Sequence, residues 1–280
     1  MRIIRSPKSM RALASRWHRA GHKIVLVPTM GALHNGHVSL MRRGRKLADK
    51  LVVSIFVNPA QFGPREDYSR YPRTFAADKN KCLACDVDVI FCPAHEAMYP
   101  AEFGTWIDVD RLTSTLEGMA RPTHFRGVCT IVLKLFNIVT PDIAVFGRKD
   151  YQQGVVIKRM AADLDLGVKI IVAATVREPD GLALSSRNAY LRPAQRQTAD
   201  VLYRTLAWVK KQIIAGKNRP APLARHMTEV IELDSGFLVE YIEFADPQTL
   251  KRQKTIKPPT VVLIAARLGR TRFIDNILIK

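Results

Sequence analysis

Up to residue 176, short runs of apolar, β-branched residues alternate with longer stretches in which apolar residues recur at helical spacing, and this alternation constrains the fold more than any other feature. The strand candidates are residues 24–27, 51–57, 87–91, 143–146 and 168–176, with Ile3 and Ile4 as a short first strand. Helix candidates lie between them at 38–50, 75–85, 125–139 and 151–164, and Met10, Leu13, Ala14 and Trp17 mark one face of an earlier helix. In the third of these stretches Val128, Ile131, Val132, Leu135, Phe136 and Val139 trace a single helical face. Strands that are apolar throughout are buried on both faces, as in a parallel sheet with right-handed helical crossovers. The expectation is an α/β fold with a doubly wound, parallel-sheet, Rossmann-like N-terminal domain. Such a sheet binds ligands at the carboxyl ends of its strands.

Beyond Val176 the rhythm changes. The polar, turn-rich stretch REPDGLALSSRNAYL precedes a segment from Pro193 to Gly216 that reads as one long helix, with proline at its start and glycine at its end. A second helix is expected over 223–231, then strands over 238–244, 261–266 and 272–279, with LGRT turning between the last two. The predicted organisation is a Rossmann-like domain over residues 1–176 and a smaller α+β domain over residues 177–280.

No apolar run reaches the about 18 to 20 residues that would span a bilayer, so no membrane partner is expected. The Arg-rich start carries no apolar signal core, and the cytoplasm is the expected compartment. Forty-four Lys and Arg against 25 Asp and Glu give a formal charge of +19, which raises the question of polyanionic partners. The basic residues are spread over the whole chain without interleaved aromatics, so no dedicated nucleic-acid partner is expected. Cys82, Cys85, Cys92 and His95 have ligand types that suit zinc. The intervening DVDVIF reads as a strand that would drive the two pairs apart, and reduced thiols are the expectation.

Three stretches carry chemistry. VPTMGALHNGH leaves the strand candidate at 24–27 and presents His34 and His37 where a loop enters a helix near Val38. Free N–H groups at a helix N-terminus, joined by imidazole donors, suit the phosphates of a nucleotide; the alternative is two histidines that simply cap a loop. FGRKDYQQ again follows a strand and opens a helix, so that Lys149 can follow phosphate charge and Asp150 can accept from ribose hydroxyls, or both can be a solvated helix start. LSSRN offers two hydroxyls and a guanidinium in a mobile-looking loop, either a triphosphate clamp or a plain approach to a helix.

With SIFVNPAQF, YPRT, LEGMARPTHFRGV, DGLALSSRN and VLIAARLGRTRFIDN, these stretches run in order through almost the whole chain, which resembles the pantothenate synthetases within the wider HxGH nucleotidyltransferase group. The resemblance implies that ATP activates the carboxylate of pantoate as pantoyl adenylate, which β-alanine then converts to pantothenate, with release of AMP and pyrophosphate. It implies an ATP site of Met30, Gly31, His34, His37, Gly147, Lys149, Asp150, Val176, Leu184, Ser185, Ser186 and Arg187. Within it His34, His37 and Lys149 act on the phosphates, His37 as proton donor, Asp150 on the ribose, and Ser185, Ser186 and Arg187 on the departing pyrophosphate. Gln61 and Gln153 would hold pantoate, and residues 177–280 would form a lid domain. The resemblance also implies a homodimer. Without it, both glutamines read as ordinary polar loop residues.

Two positions depart from the family pattern. Arg148 stands where an acidic residue is common, and TFAADKNK leaves Asp78 as the one candidate metal ligand in a region that usually has several. Mg2+ is therefore expected mainly on the ATP phosphates and water. Three competing readings remain: another HxGH nucleotidyltransferase, against which the glutamine motifs speak, a nucleic-acid-binding derivative of the fold, for which only the charge speaks, and an inactive structural paralogue, against which the intact motifs speak.

Overall fold

A computed structural model of the chain describes residues 1–64, 66–269 and 271–280, with the Asp234 side chain left aside. The chain forms two compact units, Met1–Arg148 with Gln152–Ala174, and Lys149–Tyr151 with Thr175–Lys280.

The first unit runs β1 (Arg2–Ile4), α1 (Pro7–Arg19), β2 (Ile24–Thr29), α2 (Asn35–Arg45), β3 (Lys50–Ile55), α3 (Phe75–Leu83), β4 (Val89–Phe91), α4 (His95–Met98), α5 (Glu117–Ala120), α6 (His124–Val139), β5 (Ile143–Gly147), α7 (Tyr151–Asp163) and β6 (Lys169–Ala173). The strands form one sheet in the order β1-β4-β3-β2-β5-β6, and every described pairing is parallel. Apolar strand residues such as Ile24, Leu26 and Val52 are fully buried, packed with the inner faces of α1 and α6 on one side of the sheet. Val25, Val53 and Ile90 face the other side with Leu40 and Met41 of α2. Burial on both faces is what their unbroken apolar character requires.

From β2 the chain passes to β3 on one side, whereas β5 on the other side is reached only after β4 and α6. The strand order therefore reverses between β2 and β5, the place where an open parallel sheet leaves a crevice at its carboxyl edge. Residues 30–37 follow β2 there, and Gly147 closes β5.

In the second unit α8 (Pro193–Thr198), α9 (Val201–Ile214) and α10 (Pro220–Ser235) precede β7 (Leu238–Ala245), β8 (Thr260–Leu268) and β9 (Thr271–Ile279). The three strands form an antiparallel sheet in sequence order. Its core joins Leu206, Val209, Met227, Phe237, Phe244 and Phe273. The single helix expected over 193–216 is interrupted at Ala199 and Asp200, where Ala199 N donates to Arg196 O and Tyr203 N to Asp200 O, three residues back rather than four. The turn expected over 268–271 includes Arg270, which lies outside the described residues; its flanks Leu268 and Thr271 are paired.

No helix of the described residues is long and apolar enough to cross a membrane. Cys82 and Cys85 are buried, and β4 separates them from Cys92 and His95. Burial first, then the charge of Asp78, pushes the Cys82 thiol up to about 12.

Candidate active site

Where β2 ends, the Thr29 hydroxyl donates to Ser54 O at 2.7 Å and accepts from Gly31 N at 3.2 Å, which turns the chain out of the sheet. Gly31 (φ 83°) and Ala32 (φ 48°) then take consecutive left-handed conformations. Gly31 requires its glycine: a Cβ would stand 3.1 Å from Asp78 Oδ2 and 3.2 Å from Ile55 Cγ2.

His34 is the N-cap of α2, which begins at Asn35, three residues before the expected start, and so draws His37 into its first turn. Histidine is outside the usual capping set, so nothing in the sequence marked this start. His34 Nδ1 accepts from Gly36 N at 3.2 Å, and His37 Nδ1 accepts from His34 N at 3.3 Å. A backbone N–H can only donate, so in each neutral ring the proton sits on Nε2. The cap thus makes both imidazoles Nε2–H donors, 4.1 Å apart between ring centroids, at the positive end of a helix.

Gln61 belongs to a 3-10 turn over Pro59–Gln61, and its Nε2 donates to Met30 Sδ at 2.9 Å. Its amide orientation is imposed from behind. Gly127 O can only accept, so it takes the Nδ2 of the buried Asn58 at 3.1 Å; Asn58 Oδ1 accepts from Tyr99 OH at 2.9 Å, and Asn58 Nδ2 also donates to Gln61 Oε1 at 3.1 Å. The oxygen of Gln61 is held inward and its amide nitrogen directed towards the loop after β2.

The backbone of Gln61 is braced as well. Gln61 O accepts from His124 Nδ1 at 2.9 Å and from Arg121 Nη2 at 3.1 Å, while Arg121 Nε donates to Glu66 Oε1 at 2.6 Å. Burial, reinforced by the Arg121 guanidinium that donates to its Nε2, lowers His124 to about 4 and keeps the ring neutral. Burial opposes ionisation of Glu66, but Arg121 outweighs it and holds the carboxyl below its usual range.

Gln152 and Gln153 divide their tasks. Gln152, 3% exposed, donates to Leu112 O at 2.7 Å and Thr115 O at 2.9 Å and accepts from Glu117 N at 3.0 Å. It fixes the segment that enters α5. Gln153, the expected ligand, is half-buried beside it in the first turn of α7. Asp78, the candidate metal ligand, is buried, and its carboxylate accepts from Ala32 N and Leu33 N. Among the described residues no group of three or more His, Cys, Asp or Glu is placed to hold a metal ion.

The remaining candidates, apart from Gly147, belong to the second unit. Lys149 Nζ stands 3.6 Å from Asp150 Oδ1, and Lys149 O accepts from Asn276 Nδ2 at 2.9 Å, which ties this segment to β9. Val176 O accepts from Leu184 N at 3.0 Å, and Arg177 and Ala183 form an antiparallel bridge. The stretch expected to be a mobile loop folds as a hydrogen-bonded turn. Ser185 Oγ accepts from Arg187 N at 3.2 Å, residues Ser186–Tyr190 form a 3-10 helix, and Asn188 Nδ2 donates to Ala183 O at 3.1 Å.

A sequence model of the family described as pantoate-beta-alanine ligase matches residues 2–278. The chain belongs to the pantoate-beta-alanine ligase family. It is 48% identical over 276 residues to pantothenate synthetases of Desulfatibacillum aliphaticivorans and Geobacter sulfurreducens, covering 99% of this chain and 98% of each relative. The crystal structure of pantothenate synthetase from Thermus thermophilus matches with a TM-score of 0.94 at 41% identity over 99% of both chains. A pantoate-beta-alanine ligase from Francisella tularensis, complexed with beta-gamma ATP and β-alanine, matches with a TM-score of 0.81 at 34% identity, covering 99% of this chain and 97% of that one. As a member of this ligase family the chain is an enzyme.

The sequence did not single out Asn58, Tyr99, Arg121, His124 or Gln152. Arg121 and His124 lie within one of the stretches that carry the family resemblance, and Asn58 begins the NPAQ of another, so the strings were visible while the roles were not.

Proposed function

We propose that this chain joins pantoate to β-alanine in two steps at the expense of ATP. In the first, a pantoate carboxylate oxygen attacks the α-phosphorus, the bond to the bridging oxygen breaks, and pyrophosphate leaves with the electron pair. In the second, the amine of β-alanine attacks the acyl carbon of pantoyl adenylate; the amide forms, the amine proton passes to the site or to water, and AMP departs. Family membership and the ATP and β-alanine in the Francisella tularensis complex support the choice of reactants.

The observation that carries the reading is the capped histidine pair. Negative charge grows on phosphoryl oxygens in the first step, and His34 and His37 offer fixed Nε2–H donors that need no reorganisation to meet it. Lys149 adds a mobile cation at the α-phosphate, with Gly147 and Val176 beside the nucleotide and Asp150 on its ribose. Leu184, Ser185, Ser186 and Arg187 receive the pyrophosphate. Gln61 suits an acceptor-only carboxylate because its oxygen is occupied by Asn58 and its amide nitrogen is the end that faces the loop after β2. A neutral amide orients this nucleophile without quenching it as a cation would, and Gln153 holds the pantoate hydroxyls. Mg2+ accompanies ATP on its phosphates and water. By family resemblance the working enzyme is a cytoplasmic homodimer, which light scattering tests.

Labelled pyrophosphate should exchange into ATP when pantoate is present and β-alanine absent, because the first step is then reversible and complete in itself. Exchange that needs β-alanine would refute the stepwise order. Exchange driven by a phosphorylated acid or a nucleotide instead of pantoate would favour a nucleotidyltransferase that keeps the nucleotide on its product.

A further inference from the structure

Asp78 has the environment of an internal anchor rather than of a metal ligand. It is 1% exposed on α3. Its Oδ1 accepts from Leu33 N at 2.8 Å and from the Thr74 hydroxyl at 3.2 Å, and its Oδ2 accepts from Ala32 N at 3.0 Å. Gly31 and Ala32 are both left-handed, and such a run turns successive backbone N–H groups to one side, making a concavity that attracts an anion. Here the anion is supplied by the protein itself, from a residue 46 positions away in sequence.

Mg2+ demands near-octahedral oxygen ligands and keeps several waters, so a protein carboxylate that binds it must show the ion an open face. Asp78 shows none. Beside it on α3 are Ala77 and Lys79, and one turn further on are Lys81 and the buried thiol of Cys82, none of which supplies an oxygen ligand. The donor set does not fit a magnesium site.

We propose that Asp78 is the positioning residue of the loop from Met30 to His37: its carboxylate fills the concavity of Ala32 and Leu33, fixes the left-handed bend, and thereby sets where His34 starts α2 and where both imidazoles point. The chain of contacts is continuous, since Leu33 is adjacent to His34, and His34 N in turn holds His37 Nδ1. Charge-assisted hydrogen bonds from consecutive amides give a buried carboxylate the strength to hold such a bend. The proposal rests on reading this loop as the ATP-phosphate site.

The test compares Asp78→Asn with the unaltered full chain. The amide keeps the shape, removes the charge and turns an NH2 group against a backbone donor. Hydrogen exchange over residues 30–36 should speed up by ~10-fold or more in the nucleotide-free protein. The KM for ATP should rise by ~10-fold or more, with the KM for pantoate within about twofold. The Mg2+ concentration for half-maximal velocity at saturating ATP should not move. A raised Mg2+ requirement with unchanged loop exchange would overturn the proposal in favour of a metal ligand, and unchanged exchange with unchanged KM for ATP would overturn it outright. Should Asp78→Asn not fold, Thr74→Ala removes only the hydroxyl on Oδ1 and carries the same comparison with smaller shifts in the same direction. If the unaltered protein showed no pantoate-dependent pyrophosphate exchange, the ligand of the loop would be misassigned, while hydrogen exchange would still decide whether Asp78 anchors it.

Discussion

At the scale of single residues, the cap on α2 leads to a kinetic expectation. His37→Ala removes a donor that matters most as charge moves onto the phosphates, so kcat should fall by ~10² or more while the fold survives. A folded variant with near-normal kcat would take His37 out of the chemistry. Gln153→Ala should act mainly on the KM for pantoate, and an unchanged KM would remove that role. His124 contributes to stability rather than chemistry. Its pKa falls from an ordinary 6.5 to about 4, so between these values the unfolded chain binds the extra proton. Stability is therefore fully present above pH 6.5 and is lost as pH falls towards 4, by about 3 kcal/mol for one such group. Urea titrations across that range should show the slope, and His124→Gln, which keeps a donor for Gln61 O, should flatten it. The groups legible in the sequence were those with ligand chemistry inside a compact string, such as His34, His37 and Lys149. Asn58 was not, because its partners Tyr99 and Gly127 lie 41 and 69 residues away and no local pattern encodes such a pairing.

At the scale of elements, α6 and the Pro59–Gln61 turn meet through Gly127. A Cβ there would stand 2.2 Å from Ala60 O, so the helix reaches this turn only because the residue has no side chain. Gly127→Ala must push the turn away and should cost about 1 to 3 kcal/mol of stability by overpacking. Because Gln61 sits on the displaced turn, the KM for pantoate should rise in the same variant. A lowered melting temperature with an unchanged KM would show that Gln61 does not depend on this contact. Strands and long helices were legible because periodicity records burial: β2, β3 and α6 stand within a few residues of their apolar runs. The start of α2 and the interruption before α9 were not. One depends on a histidine ring acting as a cap, and the other on hydrogen bonds at Ala199 and Asp200 that leave the apolar pattern of the helix untouched.

At the scale of the whole molecule, each unit has its own apolar core, and a lesion in one should be felt there first. The second unit offers a clean lesion in Arg177 and Asp275. Arg177 Nη1 and Nη2 meet Asp275 Oδ2 and Oδ1 at 2.6 and 2.9 Å, with the Asp275 side chain 3% exposed, and the guanidinium lies 4.2 Å from the Tyr203 ring centroid. Removing one partner of so buried a pair leaves the other charge without compensation, and Asp275→Ala should cost about 3 to 5 kcal/mol. Arg159→Ala, which breaks the exposed pair with Asp163 on α7, should cost no more than about 0.5 kcal/mol. Trp208 lies in the second unit and Trp17 and Trp106 in the first, so a Trp17→Phe, Trp106→Phe background turns tryptophan fluorescence into a probe of the second unit alone. In that background Asp275→Ala should lower the fluorescence midpoint on heating well below the temperature at which amides of β2 and β3 become exchangeable. The two-state description would then fail for the variant. If fluorescence and sheet exchange fell together at one lowered temperature, the two cores would be a single cooperative unit and the separation drawn from their packing would be wrong.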